Sequence, residues 1–68
     1  MFLIGEQVQI TPRTKEAREF WAFVDGWHGE VRGAMAGGRM VVVCDREDGP
    51  KQFYVEPENL TKVWQLPK

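Results

Sequence analysis

Apolar and polar side chains alternate near the start of the chain. Residues 6–11 read Glu6-Gln7-Val8-Gln9-Ile10-Thr11, with Val8 and Ile10 on one side and Gln7, Gln9 and Thr11 on the other. A period of two predicts a half-buried strand. Pro12 has no N–H to donate and a fixed φ, so the strand ends there. In residues 14–25 the period changes. Ala17, Phe20, Trp21 and Val24 fall at i, i+3, i+4 and i+7, which predicts one face of a short helix capped by Thr14 and stopped by Gly26. Phe23 lies off that stripe, so an ordered loop is the alternative.

A second strand is expected from Trp27, with Trp27, Gly29, Val31 and Gly33 on one face and His28, Glu30 and Arg32 on the other. Residues 33–38 are rich in glycine and read as a flexible connection. The β-branched run of residues 39–44 predicts a third strand covered on both faces. Residues 45–50 carry the acidic, Gly and Pro chemistry of a turn, and residues 51–55 alternate again with Phe53 and Val55 inward, which completes a hairpin. Glu56-Pro57-Glu58-Asn59-Leu60 suits a single tight turn, residues 61–64 a fifth short strand, and residues 65–68 a loose end.

Five short, mostly antiparallel strands are best satisfied by a sheet that curls on itself, which removes exposed edges and creates an interior without a second layer. The expected fold is mainly β: a five-stranded barrel with a short helix or ordered loop between its first two strands. At 68 residues the chain is one domain. A domain this small buries only about 60% of its unfolded surface. With one cysteine there is no internal disulfide to compensate, so the large aromatics must contribute to the core.

Charge narrows the function classes. A net charge of −1 lacks the basic excess of a module that grips phosphates. Before position 40, Arg13, Lys15, Arg18, Arg32 and Arg39 are balanced by Glu6, Glu16, Glu19, Asp25 and Glu30. The longest apolar run, residues 40–44, is far short of a spanning helix, and residues 1–4 lack the flank and length of a signal peptide, so the expectation is a cytoplasmic protein with no membrane association.

Two segments carry a family resemblance. Gly26-Trp27-His28-Gly29-Glu30-Val31 resembles the G-x-x-G-x-V entry to the second strand of KOW-type and related SH3-like domains. Phe53-Tyr54-Val55 with Pro57-Glu58-Asn59-Leu60 resembles their closing V-x-P-x-N-L segment. The order of strands and connections is similar to that of the SH3-like barrel over nearly the whole chain. The resemblance implies the fold. It does not extend to the polyproline-binding signature of peptide-binding SH3 domains, because the first strand has no tyrosine and Leu60 follows Asn59.

Catalytic and metal chemistry is thinly supplied. His28 and Cys44 are single, and the chain has no serine, so neither a zinc set nor a nucleophile with an oriented base is indicated. Asp45, Glu47 and Asp48 lack the spacing of a calcium loop and read as a solvated turn. No cofactor motif is present, and enzyme activity is not expected. The surplus is in aromatics: Phe20, Trp21, Phe23 and Trp27 lie close together, and alternation turns Tyr54 and Trp64 outward. Either the excursion of residues 14–25 plugs the barrel mouth and covers these rings, or part of them forms an exposed patch rimmed by Arg18, Arg32 and Arg39. The expected function is a non-catalytic protein-binding module, an accessory subunit or small regulator. Its candidate partner-binding residues are Arg18, Phe20, Trp21, Phe23, Arg32, Arg39, Tyr54, Pro57 and Trp64. The alternative is a KOW-like nucleic-acid-binding module with Trp21 or Trp27 stacking on a base.

Overall fold

The computed structural model describes residues 2–66. Pro67 and Lys68, the end of the expected loose tail, and Met1 lie outside the described residues. Five antiparallel strands form one sheet: β1 (Gln7–Ile10), β2 (His28–Ala34), β3 (Met40–Arg46), β4 (Gly49–Val55) and β5 (Leu60–Lys62), in the order β4-β3-β2-β1-β5. One helix, α1 (Lys15–Phe20), lies between β1 and β2. Two single 3-10 turns, Pro57–Asn59 and Val63–Gln65, flank β5.

The register follows from the alternation. Val8 and Ile10 are fully buried, opposite Gly29 of β2 and Leu60 of β5 respectively. All five strands send side chains to one core: Val8 and Ile10, Val31, Val42 and Cys44, Val55, and Leu60. Val55 belongs to one edge strand and Leu60 to the other, so the sheet is curled enough for its two edges to share an interior. The curl stops short of closure. No ladder joins β4 to β5 among the described residues, and the expected closed barrel is replaced by an open five-stranded sheet.

Three further expectations are corrected by packing. The helix occupies only residues 15–20 of the stretch from 14 to 25. Thr14 caps it as expected, its Oγ1 accepting from the Ala17 N–H at 3.0 Å. Beyond Trp21 the chain tightens into i→i+3 turns, with the Val24 N–H donating to the Trp21 carbonyl at 2.9 Å and the Trp27 N–H to the Val24 carbonyl at 3.0 Å. Val24 is drawn into the core and Trp21 packs half-buried against it, while Phe20 and Phe23 point outward, at 74% and 91% exposed. Gly26, with φ +87°, then returns the chain to β1, its N–H donating to the Ile10 carbonyl at 2.9 Å. β3 is covered on one face, through Met40, Val42 and Cys44, while Val41 and Val43 on the other face are only half-buried. The last strand is Leu60–Lys62, and Trp64 falls in the following 3-10 turn.

Above the aliphatic core sits an aromatic layer. Trp21 and Trp27 both meet Phe53 edge-on, at centroid distances of 5.9 and 6.0 Å, and Phe20 meets Trp21 at 4.7 Å. Asn59 is the one buried polar residue among those described, and it ties two connections together. Its Oδ1 accepts from the Arg13 N–H at 3.1 Å and its carbonyl from the Thr11 N–H at 2.8 Å. Among the described residues, no helix is long and apolar enough to cross a membrane.

Candidate functional site

A groove of about 530 Å³ opens between α1, the Arg39 end of β3, the Val55 end of β4 and the 3-10 turn at Pro57–Asn59. Helical spacing supplies one wall, with Glu16, Ala17, Phe20 and Trp21 from α1 and its cap. Alternation along β4 supplies the opposite wall, because Val55 points into the core and its neighbour Tyr54 must point out. Tyr54 is 42% exposed, and its hydroxyl accepts from Gln52 Nε2 at 2.8 Å. The rings are held at fixed angles: Phe20 stands at 86° to Trp21, and Trp21 at 90° to the half-buried Phe53. Trp21 therefore serves two purposes, floor of the groove on one side and lid of the core on the other.

The rim of the groove is acidic. Met40 pairs with Val55 across the β3–β4 ladder, which brings the preceding Arg39 to the following Glu56, and the two form an ion pair at 3.3 Å. Glu16 and Glu58 line the same groove without an ion-pair partner among the described residues. Arg13 binds the backbone carbonyl of Glu58, not its carboxylate, through Nε at 3.0 Å.

Of the nine residues singled out in the sequence, the groove brings together Phe20, Trp21, Arg39 and Tyr54. Pro57 is exposed at the start of the 3-10 turn whose Glu58 and Asn59 line the groove. The others are elsewhere. Arg18 and Phe23 are exposed but line no part of it. Arg32 projects from β2 and is paired with Glu30 at 3.0 Å. The expected rim of Arg18, Arg32 and Arg39 is thus reduced to Arg39, itself neutralised by Glu56.

Trp64 belongs to a second patch, built on Glu6. The Glu6 carboxylate accepts from the Leu3 N–H at 3.0 Å and the Trp64 indole at 3.5 Å, and pairs with Lys62 at 3.3 Å. The Leu3 hydrogen bond first, then Lys62 and Trp64, hold the Glu6 carboxyl below the usual glutamate range. Leu3, Ile4 and Trp64 are exposed around it. A third region, at the β3–β4 turn, is a notch of about 570 Å³ lined by Trp27 and the charged residues 45–48 and 51. Both of its cations are engaged. Arg46 stacks 3.8 Å over the Trp27 ring, and Lys51 pairs with Asp48 at 3.0 Å, lowering the Asp48 carboxyl mainly through that hydrogen bond.

His28 is exposed on β2, while Cys44 is fully buried on β3 with its thiol pushed up by burial. They face opposite sides of the sheet. Among the described residues, no three His, Cys, Asp or Glu side chains come together as a metal site. Sequence spacing does not single out Glu16, Glu56 or Glu58, whose shared position depends on the 3-10 turn and on cross-strand pairing. In comparisons with protein-family models, curated proteins and solved structures, nothing matches this chain.

Proposed function

We propose that this chain is a non-catalytic protein-binding module, an accessory subunit or small regulator working in the cytoplasm, on a curled sheet of SH3-like barrel topology. The observation that carries the reading is the groove between α1, β4 and the Pro57–Asn59 turn. It gathers three aromatic rings, Phe20, Trp21 and Tyr54, along one groove of a domain too small to leave large apolar side chains uncovered without cost. Aromatic side chains dominate the energetics of protein interfaces, and a concave apolar floor with a polar rim is the arrangement that desolvates an anchor residue. The likeness to SH3-like topology, on an open and curled sheet, is supported by the strand order and by the meeting of Val55 and Leu60, from the two edge strands, in one core.

Five of the eight Lys and Arg side chains among the described residues are engaged within the fold, and Arg13, Lys15 and Arg18 are those without a carboxylate or ring partner. Arg32, Arg39, Lys51 and Lys62 each pair with a carboxylate, and Arg46 is stacked on Trp27. The test is affinity capture from cell lysate with and without nuclease, comparing the wild type with a Phe20→Ala/Tyr54→Ala double variant. A stoichiometric protein that survives nuclease and is lost with the double variant is the expected result. Recovery that vanishes with nuclease would replace this reading with the nucleic-acid module.

A further inference from the structure

We infer that the groove takes a basic segment of a partner protein, with an apolar side chain seated among Phe20, Trp21 and Tyr54 and a lysine or arginine beside it reaching Glu16 and Glu58. This rests on the groove being a docking surface. The inference comes from the charge the fold places there. Arginines before position 40 suggest an arginine-rimmed patch, yet the one arginine that lines the groove is engaged by Glu56 at 3.3 Å. What remains on the rim is two exposed carboxylates, Glu16 on α1 and Glu58 on the 3-10 turn, both lining the groove beside its aromatic rings. Lys15 and Arg18 share the helix with Glu16 but line no part of the groove.

Complementarity of this kind selects among partners more than it adds affinity. A phosphate backbone or an acidic segment would meet like charge on the rim, whereas a cation beside an apolar anchor finds two carboxylates lining the same groove. Arg39 adds to the selection, since an acidic partner could be received there only by displacing Glu56.

The probe is a library of random twelve-residue peptides displayed on phage, selected on the full chain at low salt. The tightest sequence is then made synthetically and measured against variants. Recovered peptides are expected to carry Lys or Arg next to an aliphatic or aromatic residue. The Glu16→Gln/Glu58→Gln pair should weaken the tightest of them roughly tenfold, the scale of two exposed ion pairs. A change from 50 to 300 mM salt should act in the same direction. Phe20→Ala/Tyr54→Ala should abolish binding, with the folded spectrum retained in both double variants because all four side chains are exposed. Single Glu16→Gln and Glu58→Gln variants give the same reading should the pair fail to fold. Acidic or uncharged peptides that are lost with Phe20→Ala/Tyr54→Ala overturn the basic-partner inference and leave the groove as a docking surface. The same follows if affinity is indifferent to the glutamine pair. Peptides that bind Phe20→Ala/Tyr54→Ala as well as wild type, recovery of none, or displacement by a single-stranded oligonucleotide overturn both.

Discussion

Gly29 lies directly against Val42. A Cβ at position 29 would stand 2.7 Å from Val42 Cγ1, 2.8 Å from the Val43 carbonyl oxygen and 2.9 Å from Cys44 Sγ. Two of those atoms belong to packed core side chains and the third to backbone, so none can yield cheaply. This close approach lets β2 and β3 curl tightly enough to bring Val55 and Leu60 into one interior. Gly29→Ala is therefore expected to cost roughly 2–3 kcal/mol, the scale of overpacking a core. In a domain of this size that is a fall in Tm of roughly 10–20 °C. Gly33→Ala on the same strand, where nothing lies within 4 Å, is the control and should stay within about 0.5 kcal/mol. Thermal unfolding followed by circular dichroism measures both.

Three aromatic candidates, Trp21 and Phe20 on the excursion and Trp64 in the turn after β5, separate by burial and by position. Trp21 packs against the core and meets Phe53 edge-on at 5.9 Å, so Trp21→Ala should lower stability by about 2 kcal/mol as well as binding. Phe20→Ala should change stability by less than about 1 kcal/mol, since the ring is 74% exposed, while removing partner binding. Trp64→Ala, at 72% exposed and outside the groove, should alter neither by a comparable amount. Denaturant unfolding read beside a binding isotherm distinguishes the three patterns.

Acid should loosen the N-terminal arm. The Glu6 carboxyl is held low by the Leu3 N–H, Lys62 and the Trp64 indole. A depressed folded value contributes stability that is present above the unfolded value of about 4.3 and lost as pH falls through the folded one. Glu6→Gln should therefore be less stable than wild type at pH 7, with the difference shrinking below about pH 4. A gap in Tm that stays constant from neutral pH to pH 3 would count against this role.

Cys44 should be chemically silent in the folded protein. Its side chain has no exposed surface and burial raises its thiol, so little thiolate is accessible at pH 8. Alkylation by iodoacetamide is expected only as the domain opens, with the rate rising sharply across the denaturant transition. Fast labelling of the native protein would mean that β3 is not packed as described.

The sequence reveals the strand register through Val8, Ile10, Val31, Val55 and the outward Tyr54, because a period of two leaves little choice of face once the core side is set. It reveals the extent of α1 less well. Phe20 fits the helical stripe, but whether the stripe continues depends on the i→i+3 turns that draw Val24 inward, a tertiary effect. Coverage of β3 was overread because a β-branched run looks the same whether its second face is packed or half-exposed. The aromatic half of the groove was legible and its acidic half was not. Glu16, Glu56 and Glu58 are scattered over forty-odd positions, and only the β3–β4 register and the Pro57–Asn59 turn bring them to one rim. Asn59, too, is unremarkable in sequence, and its burial is intelligible only through the N–H groups of Thr11 and Arg13 that it receives.

The most direct test of the docking groove uses the three tryptophans as built-in reporters. The indole N–H signals of Trp21, Trp27 and Trp64 are assigned in the isotopically labelled protein and followed while the partner recovered by nuclease-resistant capture is titrated in. The account predicts that the Trp21 indole and the backbone amides of Ala17, Phe20, Tyr54 and Glu58 shift together, with Trp64 undisturbed. Shifts confined to Trp64, Leu3 and Ile4, with Trp21 silent, would contradict it and move the interaction surface to the Glu6 patch.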